Sequence, residues 1–199
     1  RELVVVGGPN GAGKTTAALV IASLCDGLYL GADAIAAEMD PDDPFRVRIA
    51  ASKRFIERIR AELPGSRRLV VETTLSGRTF ARTVDAARRA GRPVVTIFTW
   101  LPSPGQCIRR IAGRVAAGGH HVPDEDVVRR FDRSLRNFAE LFAPRSDHWL
   151  LVDNSGRMTV PVAAWHANEL RIYHPVRWRE FQHHTGSPPD EQDERSCPD

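Results

Sequence analysis

The sequence predicts an α/β fold with a doubly wound, five-stranded and mainly parallel sheet. Short apolar runs, as in buried strands, alternate along the chain with longer segments in which apolar residues recur every three or four positions. This alternation is typical of βαβ units. The chain has 199 residues, of which 42% are apolar, so it can form one domain with a sizeable core.

The five strands are expected at the apolar runs 3–7, 28–30, 69–71, 94–98 and 149–152. Helical periodicity predicts helices at 14–22, 34–39, 45–63, 78–90, 106–117 and from residue 124 onward. Residues 163–173 are expected to form a small hairpin or turn. We expect one domain over residues 1–183, with a lid at about 106–137, and a disordered tail at 184–199, which is rich in Pro, Asp and Glu.

The first predicted strand is followed by the spacing G-x-x-x-x-G-K-T, which is typical of phosphate-binding loops. The loop and the threonine after it are Gly8, Pro9, Asn10, Gly11, Ala12, Gly13, Lys14, Thr15 and Thr16. Its glycines let backbone N–H groups turn toward a polyphosphate at the start of the next helix. Lys14 is expected to reach the β- and γ-phosphates of ATP, and Thr15 to bind Mg²⁺ through its hydroxyl. The pattern predicts a P-loop NTPase fold.

An acidic residue, Asp33, follows the second predicted strand. Open α/β sheets bind their ligands beyond the carboxyl ends of the strands, so Asp33 is a candidate catalytic and substrate-binding residue. The alternative is that Asp33 only caps the next helix, because Asp is favoured at helix N-caps. The two roles are compatible.

The third predicted strand also ends in polar residues, Glu72-Thr73-Thr74. Glu72 is expected to order the water shell of Mg²⁺ or to hold the substrate, and the two threonines offer hydroxyls beside it. Arg78, a few residues later, is a further substrate-binding candidate. The alternative is a strand-end turn whose polar side chains only cap the next helix.

Two arginine-bearing helices flank a Gly118-Gly119 turn between the fourth and fifth predicted strands. We expect these helices to form a lid that closes over a nucleotide and brings guanidinium groups to the transferring phosphoryl. The candidate arginines are Arg110, Arg114, Arg129 and Arg130. The alternative is an ordinary solvated basic face. Asn154, after the fifth strand, is expected to border the adenine.

Composition limits the other classes of function. The formal net charge is only +3, so charge alone does not indicate a nucleic-acid partner. No apolar run reaches the length of about 18 residues that a membrane span needs, and the first strand is too short for a signal-peptide core. The three cysteines are far apart, as expected for free thiols, and the adjacent histidine pairs lack a third metal ligand at a suitable spacing. We expect a cytoplasmic protein supplied with ATP.

Together these motifs resemble the zeta-toxin family. The resemblance covers about residues 3–157 and rests on the phosphate-binding loop, Glu72-Thr73-Thr74, Arg114, His120, Arg129-Arg130 and Asp153-Asn154. Members of that family are similar in fold to nucleoside-monophosphate kinases, and the toxins phosphorylate UDP-N-acetylglucosamine at the sugar 3′-hydroxyl. The resemblance implies that Asp33 is the base, that Glu72, Thr74 and His120 help to hold the substrate, and that Arg114 with Arg129 or Arg130 are lid arginines. It also implies an antitoxin partner.

The expected function is therefore that of a small-molecule kinase that uses ATP and Mg²⁺, with a sugar nucleotide as acceptor. Asp40-Pro41 stands where the toxins more often carry His-Pro, so the acceptor stays open. One alternative is an ATPase switch without a small-molecule acceptor, because residues 74–77 resemble part of an ABC signature, although the following Gly-Gln is missing. Another is a nucleotide-binding partner protein without catalysis. A GTPase is not indicated, because the chain has no Asn-Lys-x-Asp.

Overall fold

A computed structural model describes residues 1–119 and 121–186 of the chain. Its central sheet has seven strands. In chain order they are β1 (Leu3–Gly7), β2 (Leu28–Gly31), β3 (Leu69–Thr73), β4 (Val94–Trp100), β5 (His148–Asp153), β6 (Val160–His166) and β7 (Glu169–Ile172). The helices are α1 (Lys14–Leu24), α2 (Ala32–Met39), α3 (Arg48–Glu62), α4 (Ala81–Arg89), α5 (Pro104–Ala116), α6 (Asp124–Asn137) and α7 (Pro175–Thr185).

The strand order is β2-β3-β1-β4-β5-β6-β7, and the first five of these strands are parallel. Gly7 of β1 is in register with Thr73 of β3 and with Phe98 of β4, while Glu72 of β3 is in register with Gly31 of β2. The carboxyl ends of β1, β2 and β3 therefore lie side by side. The loops that follow these strands meet at one edge of the sheet, as open α/β sheets require for ligand binding.

The prediction of five strands is wrong, because the sheet continues through the hairpin of β6 and β7. The hairpin predicted at residues 163–173 is present, but it pairs antiparallel with β5, with Trp149 opposite Trp165. Two features of the sequence obscure β6 and β7 as strands of the central sheet. Pro161 lies within β6, and the turn is made by Ala167 and Asn168, which take positive φ angles of 50° and 67° without a glycine.

The predicted start of the disordered tail, at residue 184, is also wrong, because α7 extends to residue 185. Residues 184 and 185 belong to α7, because its inward face, including Phe181, is buried against the sheet. Residues 187–199 lie outside the described residues. None of the helices in the described ranges is long and apolar enough to cross a membrane.

Helices cover both faces of the sheet, but unequally. Neighbouring residues of β1 point to opposite faces: Val4 and Val6 belong to one apolar cluster, and Leu3 and Val5 to another. The smaller cluster contains Ala18 and Ala22 of α1. The larger one contains buried side chains of α3, α4, α6 and α7, namely Phe55, Ile59, Val84, Val127, Phe131, Leu135 and Phe181. After α6 a π-helical turn, Phe138–Phe142, adds two buried phenylalanines to the same cluster.

One buried cation, Arg92, closes the amino-terminal edge of the sheet. Its side chain is 1% exposed, and its guanidinium donates hydrogen bonds at 2.7–2.8 Å to four backbone carbonyls around the end of α3. The acceptors are the carbonyls of Glu62, Leu63, Gly65 and Arg67. Burial lowers the pKa of Arg92 from its usual value. Arg92 therefore satisfies helix-end carbonyls that lack a partner within the helix.

Replacing Arg92 with methionine is expected to lower the free energy of unfolding by about 3 kcal/mol or more. Methionine keeps the apolar stem but leaves the buried Leu63 carbonyl and three partly buried carbonyls without this donor, and an unsatisfied buried group costs about 1–3 kcal/mol. Urea denaturation followed by circular dichroism measures the change. Arg89→Met, at an exposed position of α4, is the matched control. A loss below about 1 kcal/mol would show that water replaces the guanidinium.

Candidate active site

A cleft of about 230 Å³ opens at the carboxyl edge of the sheet, between the phosphate-binding loop, the start of α2, the end of β3 and α5. It is lined by Asn10, Gly11, Gly13, Lys14, Thr15, Thr16, Ala32, Asp33, Glu72, Thr73, Thr74, Arg110, Ile111 and Arg114. Most of the residues predicted as site residues thus share one cavity, in which three basic side chains face two carboxylates.

The phosphate-binding loop has three glycines, Gly8, Gly11 and Gly13, at which a Cβ would collide with a neighbouring segment, and the approach is closest at Gly8 and Gly13. Gly8 has a φ of 141°, and a Cβ there would collide with the Thr99 carbonyl. Gly13 has a φ of 86°, and a Cβ there would collide with the Asn154 amide. That amide donates to the Ala12 carbonyl at 2.9 Å, so Asn154 supports the loop from outside. At these positions neighbouring segments approach the loop backbone so closely that only glycine, which has no Cβ, fits.

Lys14, the first residue of α1, is 7% exposed and donates from Nζ to the Pro9 carbonyl at 2.8 Å. Burial lowers the pKa of Lys14, and the charges of Glu72 and Asp33 act in the opposite direction. The ammonium is thus largely removed from water, and its hydrogen bond goes to a neutral carbonyl. An anionic ligand at the loop would stabilise the charged form of Lys14 and so raise its pKa.

Thr15 and Glu72 meet in the cleft. The Thr15 hydroxyl donates to Oε1 of Glu72 at 2.9 Å, and the Tyr29 hydroxyl donates to Oε2 at 2.7 Å. Both carboxylate oxygens of Glu72 therefore have a donor. This arrangement places Glu72 beside Thr15, the residue predicted to bind Mg²⁺.

The residues around Thr15 fit Mg²⁺ bound together with a nucleotide. Mg²⁺ prefers oxygen ligands and, in nucleotide sites, is usually held by one or two protein groups, phosphates and water. The Thr15 hydroxyl and the Glu72 carboxylate provide such oxygens. Within the described ranges, no group of three or more His, Cys, Asp or Glu side chains could hold a metal by itself. The chemistry of these donors thus suits a metal that arrives with phosphate.

Asp33 does not cap a helix. It lies in the first turn of α2, whose N-cap residue is Gly31 and which has no side-chain capping hydrogen bond. The Asp33 side chain is exposed and lines the cleft, and no described residue forms a hydrogen bond or ion pair with its carboxylate. The alternative that Asp33 serves only as an N-cap is therefore wrong. A negative charge in the first turn still suits the helix dipole.

The loop after β3 is held by α6. Leu75 takes a positive φ of 54° and is buried, which is a strained conformation for a branched residue. Ser134 donates to the Thr74 carbonyl and Asn137 donates to the Leu75 carbonyl at 2.8 Å. Thr74 also shares a hydrogen bond of 2.9 Å with Ser76 through their hydroxyls. This loop presents Thr73 and Thr74 to the cleft in one fixed shape.

Arg78 lies outside the cleft lining. It begins a short 3-10 turn, its side chain is 68% exposed, and its guanidinium lies 4.0 Å from the Glu140 carboxylate. The prediction that it binds substrate therefore receives no support from its position.

The predicted lid arginines divide into two groups. Arg110 and Arg114 of α5 line the cleft, and Arg110 donates to the Asn154 carbonyl. Arg129 and Arg130 of α6 do not line it, and both form ion pairs with Asp126. His120 lies outside the described residues.

Three side chains that support the site escaped the sequence analysis: Tyr29, Ser134 and Asn137. Tyr29 lies in an apolar strand and resembles a core residue in the sequence. Ser134 and Asn137 are three positions apart on α6, next to the buried residues Phe131 and Leu135. Polar residues at helical spacing beside an apolar stripe are a signal that could have indicated a buried contact.

Comparisons with known proteins agree with this architecture. A family model described as an AAA domain matches residues 3–141. The sequence has no match among curated proteins.

Solved structures show the same fold at low identity. A chain of the AvrRxo1-ORF1:-ORF2 complex with ATP is 16% identical, with a TM-score of 0.71 over 90% of this chain and 63% of that one. A chain of the PezAT toxin-antitoxin system of Streptococcus pneumoniae is 14% identical, with a TM-score of 0.63 over 97% of this chain and 81% of that one. A gluconokinase from Sinorhizobium meliloti is 16% identical, with a TM-score of 0.52 over 98% of this chain and 97% of that one. This chain thus spans less than two thirds of the AvrRxo1 relative, and the likenesses show a P-loop kinase fold.

Proposed function

Because this chain belongs to the AAA domain family and has a P-loop kinase fold, we propose that it is a phosphotransferase that uses ATP and Mg²⁺. The γ-phosphoryl would pass to an alcohol hydroxyl of a small molecule. One observation carries this proposal: a single cleft joins the phosphate-binding loop to the exposed carboxylate of Asp33 and to Thr73 and Thr74.

The phosphate side of the cleft would hold ATP. Lys14 and its neighbours in the loop line the cleft, where the Lys14 ammonium and backbone N–H groups of the loop would bind the β- and γ-phosphates. Arg110 and Arg114 add positive charge from α5. Thr15 and Glu72 would hold Mg²⁺, which would supply positive charge to stabilise the phosphoryl group during transfer. The Thr15 hydroxyl would contribute its oxygen while it donates a hydrogen bond to Glu72.

The acceptor side would hold the alcohol. Asp33 would accept the proton of the attacking hydroxyl, because its exposed carboxylate faces the cleft and is not engaged by another described residue. Glu72 is unsuited to that role because both of its oxygens accept hydrogen bonds. Thr73 and Thr74 would orient the acceptor by hydrogen bonding.

We further propose a sugar nucleotide such as UDP-N-acetylglucosamine as the first acceptor to test, and an antitoxin protein as a partner. Both rest on the zeta-toxin resemblance. The PezAT relative is described as a toxin-antitoxin system, which supports the partner as a proposal.

The burial pattern indicates which part of the proposed lid, residues 106–137, can move. Val127, Phe131 and Leu135 of α6 are fully buried, whereas residues 112–118 at the end of α5 and after it are exposed. Arg114 lies in the exposed segment and lines the cleft. Closure over a nucleotide would therefore move the end of α5, and the buried part of α6 would stay in place.

An ATP analogue with Mg²⁺ is expected to slow amide exchange in residues 112–119 several-fold and to leave residues 127–137 unchanged. A contact between the nucleotide phosphates and Arg114 would stabilise the closed segment. Hydrogen exchange with mass spectrometry measures both segments in one experiment. Equal exchange in residues 112–119 with and without the analogue would contradict the proposed closure.

Acceptor dependence tests the proposed function. ADP formation should rise when a metabolite extract is added, because a kinase turns over rapidly only with its acceptor. Phosphate release at the same rate without the extract would instead indicate the alternative, an ATPase without a small-molecule acceptor.

A further inference from the structure

Glu72 is fixed by two hydroxyl donors from different elements. Thr15 at the start of α1 donates to one carboxylate oxygen at 2.9 Å, and Tyr29 in β2 donates to the other at 2.7 Å. Tyr29 does not line the cleft, and its hydroxyl is linked to the cleft by its hydrogen bond to Glu72.

Gly31 leaves room for this contact. It is in register with Glu72 across β2 and β3, and a Cβ at position 31 would lie 2.5 Å from the Tyr29 hydroxyl and 3.6 Å from Oε2 of Glu72. The φ of Gly31 is −136°, which any residue can adopt. The missing side chain is therefore explained by the approach of the tyrosine hydroxyl, not by the backbone conformation.

Tyr29 is a stable donor for Glu72. A tyrosine phenol is protonated near neutral pH, because its ordinary pKa is about 10. A neutral phenol that donates to a carboxylate forms a charge-assisted hydrogen bond, which is stronger than one between neutral groups.

We propose that Tyr29 is a positioning residue for Mg²⁺: it holds Glu72 in the orientation in which the other carboxylate oxygen faces Thr15. This inference rests on the proposed function, because it concerns the metal side of the same cleft. Glutamate has three rotatable side-chain bonds, so ordering it at the site costs conformational entropy. A second donor keeps the carboxylate ordered before the metal and nucleotide arrive, which lowers that cost on binding.

The test measures how Mg²⁺ strengthens ADP binding in a Tyr29→Phe variant by isothermal titration calorimetry. The half-saturating Mg²⁺ concentration is expected to rise about tenfold, which corresponds to about 1.4 kcal/mol. ADP affinity without Mg²⁺ should stay unchanged, because Tyr29 does not line the cleft. Tyr173→Phe is the matched control, because Tyr173 is the other tyrosine of the chain and is 55% exposed.

A double-mutant cycle separates positioning from a general structural effect. Glu72→Gln should weaken the Mg²⁺ dependence by itself, and adding Tyr29→Phe to it should cause little further change. A merely structural role for Tyr29 would make the two effects additive.

The possible failures are distinguishable. If Glu72→Gln raises the Mg²⁺ requirement while Tyr29→Phe matches the Tyr173→Phe control, the inference is overturned and the proposed function stands. Additive effects in the double variant also overturn it. If the wild-type protein does not bind ADP with Mg²⁺, the proposed function and the inference both fail.

Discussion

Replacing Lys14 with alanine is expected to lower the rate of phosphoryl transfer at least about a thousandfold, because the cation that faces the transferring phosphate is lost. The protein should stay folded. The Lys14 ammonium is buried, its pKa is lowered by that burial, and its hydrogen bond goes to the Pro9 carbonyl, so its removal relieves a desolvated charge. Transfer is measured by coupled ADP formation with saturating acceptor, and folding by circular dichroism.

Lys53→Ala is the matched control for this change. Lys53 is the other lysine of the chain and is exposed on α3, so its loss should leave transfer unchanged. Near-normal turnover in the Lys14→Ala protein would contradict the assignment of the loop to ATP.

Asp33→Asn is expected to lower phosphoryl transfer by about 10² to 10⁴ while ATP affinity and thermal stability stay near those of the wild-type protein. Asparagine keeps the size of the side chain but cannot accept the proton of the acceptor hydroxyl. The structure removes the competing explanation of a lost helix cap, because Gly31 occupies the N-cap of α2. Rates with saturating acceptor and ATP titrations by calorimetry give the two quantities.

Asp42→Asn, in the exposed segment after α2, is the control for the loss of one negative charge. If Asp33→Asn keeps full turnover, Asp33 is not the base. The acceptor hydroxyl would then be deprotonated by another group or attack without a base.

The phosphate side of the site could be predicted because its spacing is local. Residues 8–15 lie in one turn between a strand and a helix, so their order in the sequence already defines their geometry. The positions of Asp33 and Glu72 followed from a general rule, that the carboxyl ends of parallel strands share an edge. Both residues do line the cleft.

Contacts between distant segments could not be predicted in this way. The hydrogen bond of Tyr29 with Glu72 depends on the register of β2 and β3, which one sequence does not define. The buried guanidinium of Arg92 depends on where the end of α3 meets the sheet. In the sequence both residues look ordinary, because their partners lie 43 and about 30 positions away.

The predicted lid arginines show a different limit of prediction from sequence. Arg129 and Arg130 lie beside a glycine turn in the sequence, yet Asp126, three and four positions earlier on the same helix, forms ion pairs with both. Such spacing is common on helices and could have been weighed against a catalytic role. Arg110 and Arg114 are the arginines that reach the cleft.

The central claim is that this chain transfers the γ-phosphoryl of ATP to the hydroxyl of a small molecule. The most direct measurement incubates the protein with a metabolite extract and ATP labelled with ¹⁸O in the γ-phosphoryl, and then analyses small molecules by mass spectrometry. We expect a metabolite that gains one labelled phosphoryl group with the wild-type protein and not with Lys14→Ala. Label found only in inorganic phosphate, at equal rates with and without extract, would contradict it.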